Sequence, residues 1–130
     1  ATFDNLLNRI VQQGRIMYFV DALLPDQPDS LKIGFSADQM KWCKNNEKGM
    51  WEYIIENKLI FSTDQMVIQK LTGPAPFTYY FTNESPGRTG IWLGWQIVRK
   101  YAENNRDLDF PEIVFETDYN KILRESRYNP

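Results

Sequence analysis

Glu84 and Arg88 stand four residues apart across Ser85-Pro86-Gly87, immediately before an apolar run. A carboxylate at the mouth of a helix accepts its free backbone N–H groups and pairs with a nearby guanidinium. Such a pair anchors structure more often than it catalyses. A second acidic group, Asp107, Asp109, Glu112, Glu116 and Asp118, offers carboxylate pairs for acid–base work. Helix capping and a solvated face account for that group more simply.

Other chemistries are largely excluded. The chain contains no histidine. That removes Ser-His-Asp and Cys-His catalysis, H-E-x-x-H zinc sites and most catalytic metal sites. There is no G-x-x-x-x-G-K-[ST] phosphate loop. The glycines of Gly87-Arg88-Thr89-Gly90-Ile91-Trp92-Leu93-Gly94 have neither the spacing nor the preceding strand of a dinucleotide site. No cofactor and no metal is therefore expected. Cys43 is the single cysteine, so no internal disulfide forms and the redox compartment stays open. The net charge of −2 weighs against a nucleic-acid partner. No apolar run approaches the roughly 20 residues of a membrane span, and no signal peptide is visible. The chain begins at Ala1 without a methionine, inside an apparent helix. We expect leading segments, any export signal included, to have been removed.

The elements that position these residues read almost entirely as helix. A length of 130 residues corresponds to a single domain spanning 1–130, burying about two-thirds of the unfolded chain's surface. Apolar residues at 3, 6, 7, 10, 11, 14, 17 and 18, with Gly14 counted as small, predict a long amphipathic helix from Phe3 to Leu24, stopped by Pro25. Residues 25–30 read as a loop. Ser36 with Gln39 has capping-box spacing and opens a helix to about Asn57. On it Met40, Cys43, Met50, Trp51 and Ile54 share one side, while Trp42 and Tyr53 lie opposite. A sandwich between two layers is favoured over a face shown to a partner, and Cys43 reads as an inert buried thiol. Ser62 and Gln65 open a shorter helix ending near Gly73-Pro74, followed by an aromatic connector to Pro86.

A helix bearing Gly87, Gly90 and Gly94 then runs to about Asn105. Each glycine inside a helix costs about 1 kcal/mol relative to alanine. Gly90 and Gly94 therefore imply a flat strip against one close neighbour, with the first helix and its Gly14 as the expected partner. Asp109, Pro111 and Glu112 start a short helix, and Thr117 caps a last one through Ser126. The expected fold is all-α, a compact bundle of five or six helices with long loops and little or no sheet.

The run Asn83-Glu84-Ser85-Pro86-Gly87-Arg88-Thr89-Gly90-Ile91-Trp92-Leu93-Gly94-Trp95-Gln96-Ile97-Val98-Arg99-Lys100-Tyr101 resembles the C-terminal hallmark of the GldB gliding-motility lipoproteins of Bacteroidetes. Supporting blocks are Gln13-Gly14-Arg15-Ile16-Met17-Tyr18-Phe19, Leu23-Leu24-Pro25, Trp42-Cys43, Phe61-Ser62-Thr63-Asp64 and Pro74-Ala75-Pro76-Phe77-Thr78, in the expected order across nearly the whole chain. The resemblance implies a lipoprotein of the cell envelope, associated with gliding and its coupled secretion machinery, of which this chain is roughly the C-terminal half. It also implies a distant likeness to zincin peptidases, whose later helix presents a Glu, often before a Gly, as third zinc ligand. Gln12 and Gln13 precede Gly14 here, and a neutral amide is a poor zinc ligand.

Two functions follow from the resemblance. The preferred one is a non-enzymatic envelope module that scaffolds or contacts other envelope proteins, reaching the membrane only through a lipid anchor outside this chain. The alternative is the substrate-side half of a zincin-like metallopeptidase, with Gln13, Glu84 and Arg88 lining a cleft and no metal ligand of its own. Gly14, Gly87, Gly90 and Gly94 are structural in either case.

Overall fold

A computed structural model describes residues 4–130. Among the described residues the chain forms seven helices and no strand: α1 (Leu6–Leu23), α2 (Asp29–Ile33), α3 (Ala37–Glu56), α4 (Gln65–Thr72), α5 (Thr89–Asn104), α6 (Phe110–Val114) and α7 (Tyr119–Ser126). The fold is all-α, with one helix more than expected. The addition is α2, which overlaps the end of the stretch read as a loop. Pro28 precedes it and Gly34 ends it in the left-handed region at φ 80°. So short a helix carries too few residues for its periodicity to show.

The helix ends follow local chemistry closely, with small corrections. The expected start of α1 at Phe3 lies outside the described residues; Asn5 caps the helix through its side chain, 2.8 Å from the Asn8 nitrogen. Ser36 and Gln39 form the reciprocal capping box of α3, and Asp109 and Glu112 that of α6. Asp64 rather than Ser62 caps α4, and Asp118 rather than Thr117 caps α7. In both cases a carboxylate one or two positions nearer the helix is the stronger acceptor for its free N–H groups. The carbonyl of Ser62 instead accepts from the Leu6 backbone at 2.9 Å, tying the start of α1 to the turn after α3.

A single hydrophobic core draws buried residues from all seven helices, including Ile10 (α1), Ile33 (α2), Met50 (α3), Leu71 (α4), Trp95 (α5), Ile113 (α6) and Ile122 (α7). Its axis is α1 against α5, the most extensive helix–helix contact in the molecule. A Cβ on Gly94 would land on the Ile10 carbonyl, and one on Gly14 would land on the Gly94 carbonyl, 2.8 Å from the Trp95 nitrogen. These two glycines let the backbones touch. The expectation of one neighbour needs correcting, because a Cβ on Gly90 would sit 2.7 Å from the Leu71 carbonyl of α4. Four residues advance about 6 Å along a helix, far enough to pass from one neighbour to the next. Gly87 is not helical either; it precedes α5 and lies against the Ala75 backbone.

The two-sided aromatic pattern of α3 is a sandwich. Its Met40, Cys43, Met50, Trp51 and Ile54 side is buried in the core. Its other side is covered by the connector, with Trp42 6.1 Å from Phe81 and Tyr53 5.7 Å from both Tyr80 and Phe81. The chain end is pinned to the same helix. Tyr128 packs edge-on against Trp51 at 5.0 Å and donates to Glu47 at 2.6 Å.

Candidate functional site

The turn before α5 is built differently from the expected carboxylate anchor. Ser85, Pro86 and Gly87 are buried, and closure of this loop against Ala75 leaves Glu84 exposed on the rim. The Thr78 hydroxyl does the anchoring instead. It donates to the Pro86 carbonyl at 2.8 Å and accepts from the Thr89 hydroxyl at 2.8 Å, while the Thr78 backbone N–H donates to Ser85. Arg88 is the N-cap residue of α5, in the left-handed region at φ 60°, and its side chain makes no cap. Its guanidinium stacks 5.3 Å from the Phe35 ring centre and donates through Nη2 to the Ile33 carbonyl at 2.8 Å. Glu84 and Arg88 therefore do not pair.

Arg88 lines a shallow cleft of about 270 Å³ with Phe35, Gln39, Pro74, Ala75 and Pro86. Neither Gln13 nor Glu84 lines it. Gln13 is half-buried on α1 beside the Gly14 contact, so the structure does not gather the three residues into one cleft.

The strongest electrostatic arrangement lies elsewhere and joins α1, α2 and α5. Arg99 donates to both oxygens of Asp21 at 2.8 and 2.9 Å, and to both oxygens of Asp29 at 2.8 and 3.0 Å. Lys32 and the Trp95 indole each add a bond to Asp21 at 2.9 Å, and the Arg99 guanidinium stacks 3.9 Å over the Trp95 ring. Burial pushes the Asp21 carboxyl up, but bonds from Arg99, Lys32 and Trp95 outweigh it and hold the group below its ordinary value. The bonds from Arg99 hold Asp29 down in the same way. Burial works against the Arg99 charge, yet the two carboxylates raise its pKa overall. The cations and carboxylates are spent on one another, which makes this a clamp between helices.

Burial, then the Glu47 charge, pushes the Cys43 thiol up to about 12, so it stays protonated and inert. Among the described residues no group of three or more His, Cys, Asp or Glu could hold a metal ion. Among the described residues no helix is long and apolar enough to cross a membrane.

One surface feature remains. Gln12, Ile16, Phe19 and Leu23 follow one another at helical spacing along the side of α1 away from Gly14, and all four are exposed. Ile16 keeps 54%, Phe19 48% and Leu23 63% of its surface in water, with Leu24 beside them at the helix end. Arg15, on the same helix, donates to the Val114 and Glu116 carbonyls at 2.9 Å and fixes α1 to the end of α6.

The family model described as gliding motility protein GldB, a lipoprotein family, matches residues 2–130. The chain belongs to this family. No curated protein and no solved structure matches it. Within this GldB family member the hallmark run divides by role. Its Gly94, Trp95 and Arg99 build the α1–α5 junction and Gly90 admits α4, while Pro86 and Arg88 line a cleft.

Sequence reasoning missed both the clamp and the outer stripe. Asp21 and Arg99 are separated by 78 positions, and no local pattern links them. The stripe did leave a signal, since Ile16, Phe19 and Leu23 are more apolar residues than one buried face of α1 can absorb.

Proposed function

We propose that this gliding-motility protein is a non-catalytic module of the cell envelope that contacts other components of the motility or secretion machinery through the outer face of α1. The observation that carries the reading is the exposure of Ile16, Phe19 and Leu23 in one stripe, on a helix whose opposite face is fixed by α5. Scattered exposed apolar residues are ordinary, whereas an aligned stripe on a rigid helix marks a surface for a partner. Further support comes from the polar groups, which serve capping and the inter-helix clamp. In the whole protein a lipid anchor outside this chain would hold the module at the membrane, facing the periplasm.

The test is replacement of the native gene, in a gliding host, by one carrying Ile16→Gln and Leu23→Gln. Colony spreading should be lost while protein amount and membrane association stay normal. Normal spreading at normal protein levels would refute the role of this face.

A further inference from the structure

The cleft beside Arg88 has a chemistry of its own. Arg88 is half-buried and spends one N–H on the Ile33 carbonyl. Among the described residues no carboxylate pairs with it, in contrast to Arg9 and Arg99. The one other polar side chain of the lining is Gln39, whose oxygen accepts from Ser36 at 2.9 Å in the capping box. Among the described residues its amide nitrogen has no acceptor. Around these donors the walls are the Phe35 ring, Pro74, Ala75 and Pro86. The nearest acids in sequence, Asp38 and Glu84, are exposed and, among the described residues, neither pairs with Arg88. The side chains of the cleft thus offer donors and one fixed positive charge beside the exposed Pro74 and Ala75, with no free side-chain acceptor.

We propose that this cleft binds a peptide carboxylate, a chain terminus or an Asp or Glu side chain. The remaining guanidinium N–H groups of Arg88 and the Gln39 amide would hold the two oxygens, and the apolar stem would lie on the exposed Pro74 and Ala75. A planar, acceptor-only group matches a guanidinium fork better than a tetrahedral ion does. Such a site would serve the contact role proposed above, and it rests on that role for taking its carboxylate from a protein.

Amide proton–nitrogen correlation spectra of the isotope-labelled chain test this, with four probes added in turn. These are acetyl-alanyl-leucine with a free carboxylate, the same peptide as its amide, acetyl-glutamyl-leucinamide, and inorganic phosphate. Either carboxylate peptide should shift Gly34, Phe35, Gln39, Gly87 and Arg88 saturably, with a Kd on the order of millimolar for so small a contact. The stronger of the two identifies the terminal or side-chain source. Gln39→Glu keeps the capping box but places a negative charge in the cleft, and should weaken binding at least about fivefold. Arg88→Gln should abolish the saturable shifts, and Arg88→Lys should restore them only in part. The Ile16→Gln/Leu23→Gln chain, which probes the α1 face, should bind the peptide as the natural chain does. Equal shifts from the amide peptide, binding of phosphate alone, unchanged affinity in Gln39→Glu, or loss in the α1 variant would each overturn the proposal.

Discussion

The two sides of α1 are both apolar and have opposite fates. The inner side carries Leu7, Ile10, Gly14 and Met17 into the core and meets α5 so closely that backbone touches backbone at Gly14 and Gly94. The outer side carries Ile16 and Leu23 into water and leaves Phe19 about half exposed, edge-on against Phe110 of α6. Hydrophobicity alone does not separate them. What separates them is the glycine, because contact at backbone distance leaves no tolerance for an added atom, whereas an exposed isoleucine fills no space in the fold.

The sharpest way to break this comparison is a methyl group on the inner side. Gly94→Ala places a carbon on the Ile10 carbonyl and must drive α1 from α5, costing about 3 kcal/mol, the upper end of overpacking, against the roughly 1 kcal/mol that alanine gains in helix propensity. Gly14→Ala should cost a similar amount. The double variant should lose less than the sum, since one separation of the helices relieves both clashes. Denaturant melts of the three variants measure this.

The clamp at the far end of the same junction comes next. Arg99→Met leaves Asp21 and Asp29 without their main partner and should cost about 2–3 kcal/mol at neutral pH, below the full value of a buried pair because these groups are part-exposed. The effect should depend on pH in a set direction. Asp21 and Asp29 have folded pKa values below the ordinary 3.8. Their contribution is complete above that value and is lost as pH falls through the lower folded pKa. The stability gap between the natural chain and Arg99→Met should therefore be constant from neutral pH down to about pH 5 and narrow below about pH 4. Urea melts across that range would show it, and a gap that widens in acid would contradict the clamp.

A helical glycine outside the junction gives the reverse sign. Gly49 lies mid-helix in α3, exposed, and a Cβ there would meet nothing within 4 Å. Gly49→Ala should raise stability by about 0.5–1 kcal/mol, read from the denaturant midpoint. A loss there would mean that helical glycines in this chain are constrained for some reason other than close approach.

Much of this was legible in the residues themselves. The spacing of apolar positions and the Ser36–Gln39 and Asp109–Glu112 pairs gave the main helices, because capping and periodicity are local and leave local marks. Gly14 opposite Gly94 was legible too, since glycine in a helix signals an approach even when the neighbour is unseen. The turn before α5 was not. Glu84 looked like its anchor because it is a carboxylate at the right distance, but Thr78 is brought there by a connector whose course depends on burying Ser85 and Pro86. No local pattern marks a partner for Arg99, and only the tertiary fold brings Asp21 and Asp29 to it.

The smallest expected effect is the most direct test of the contrast between the two sides. In a urea melt of the purified chain, Ile16→Gln and Leu23→Gln should each change stability by no more than about 0.5 kcal/mol, with an unchanged slope, as surface substitutions do. That result would leave the outer stripe free for a partner. A loss of about 2 kcal/mol or more for either residue would show that the outer side is part of the core, and the contact role assigned to it would fail.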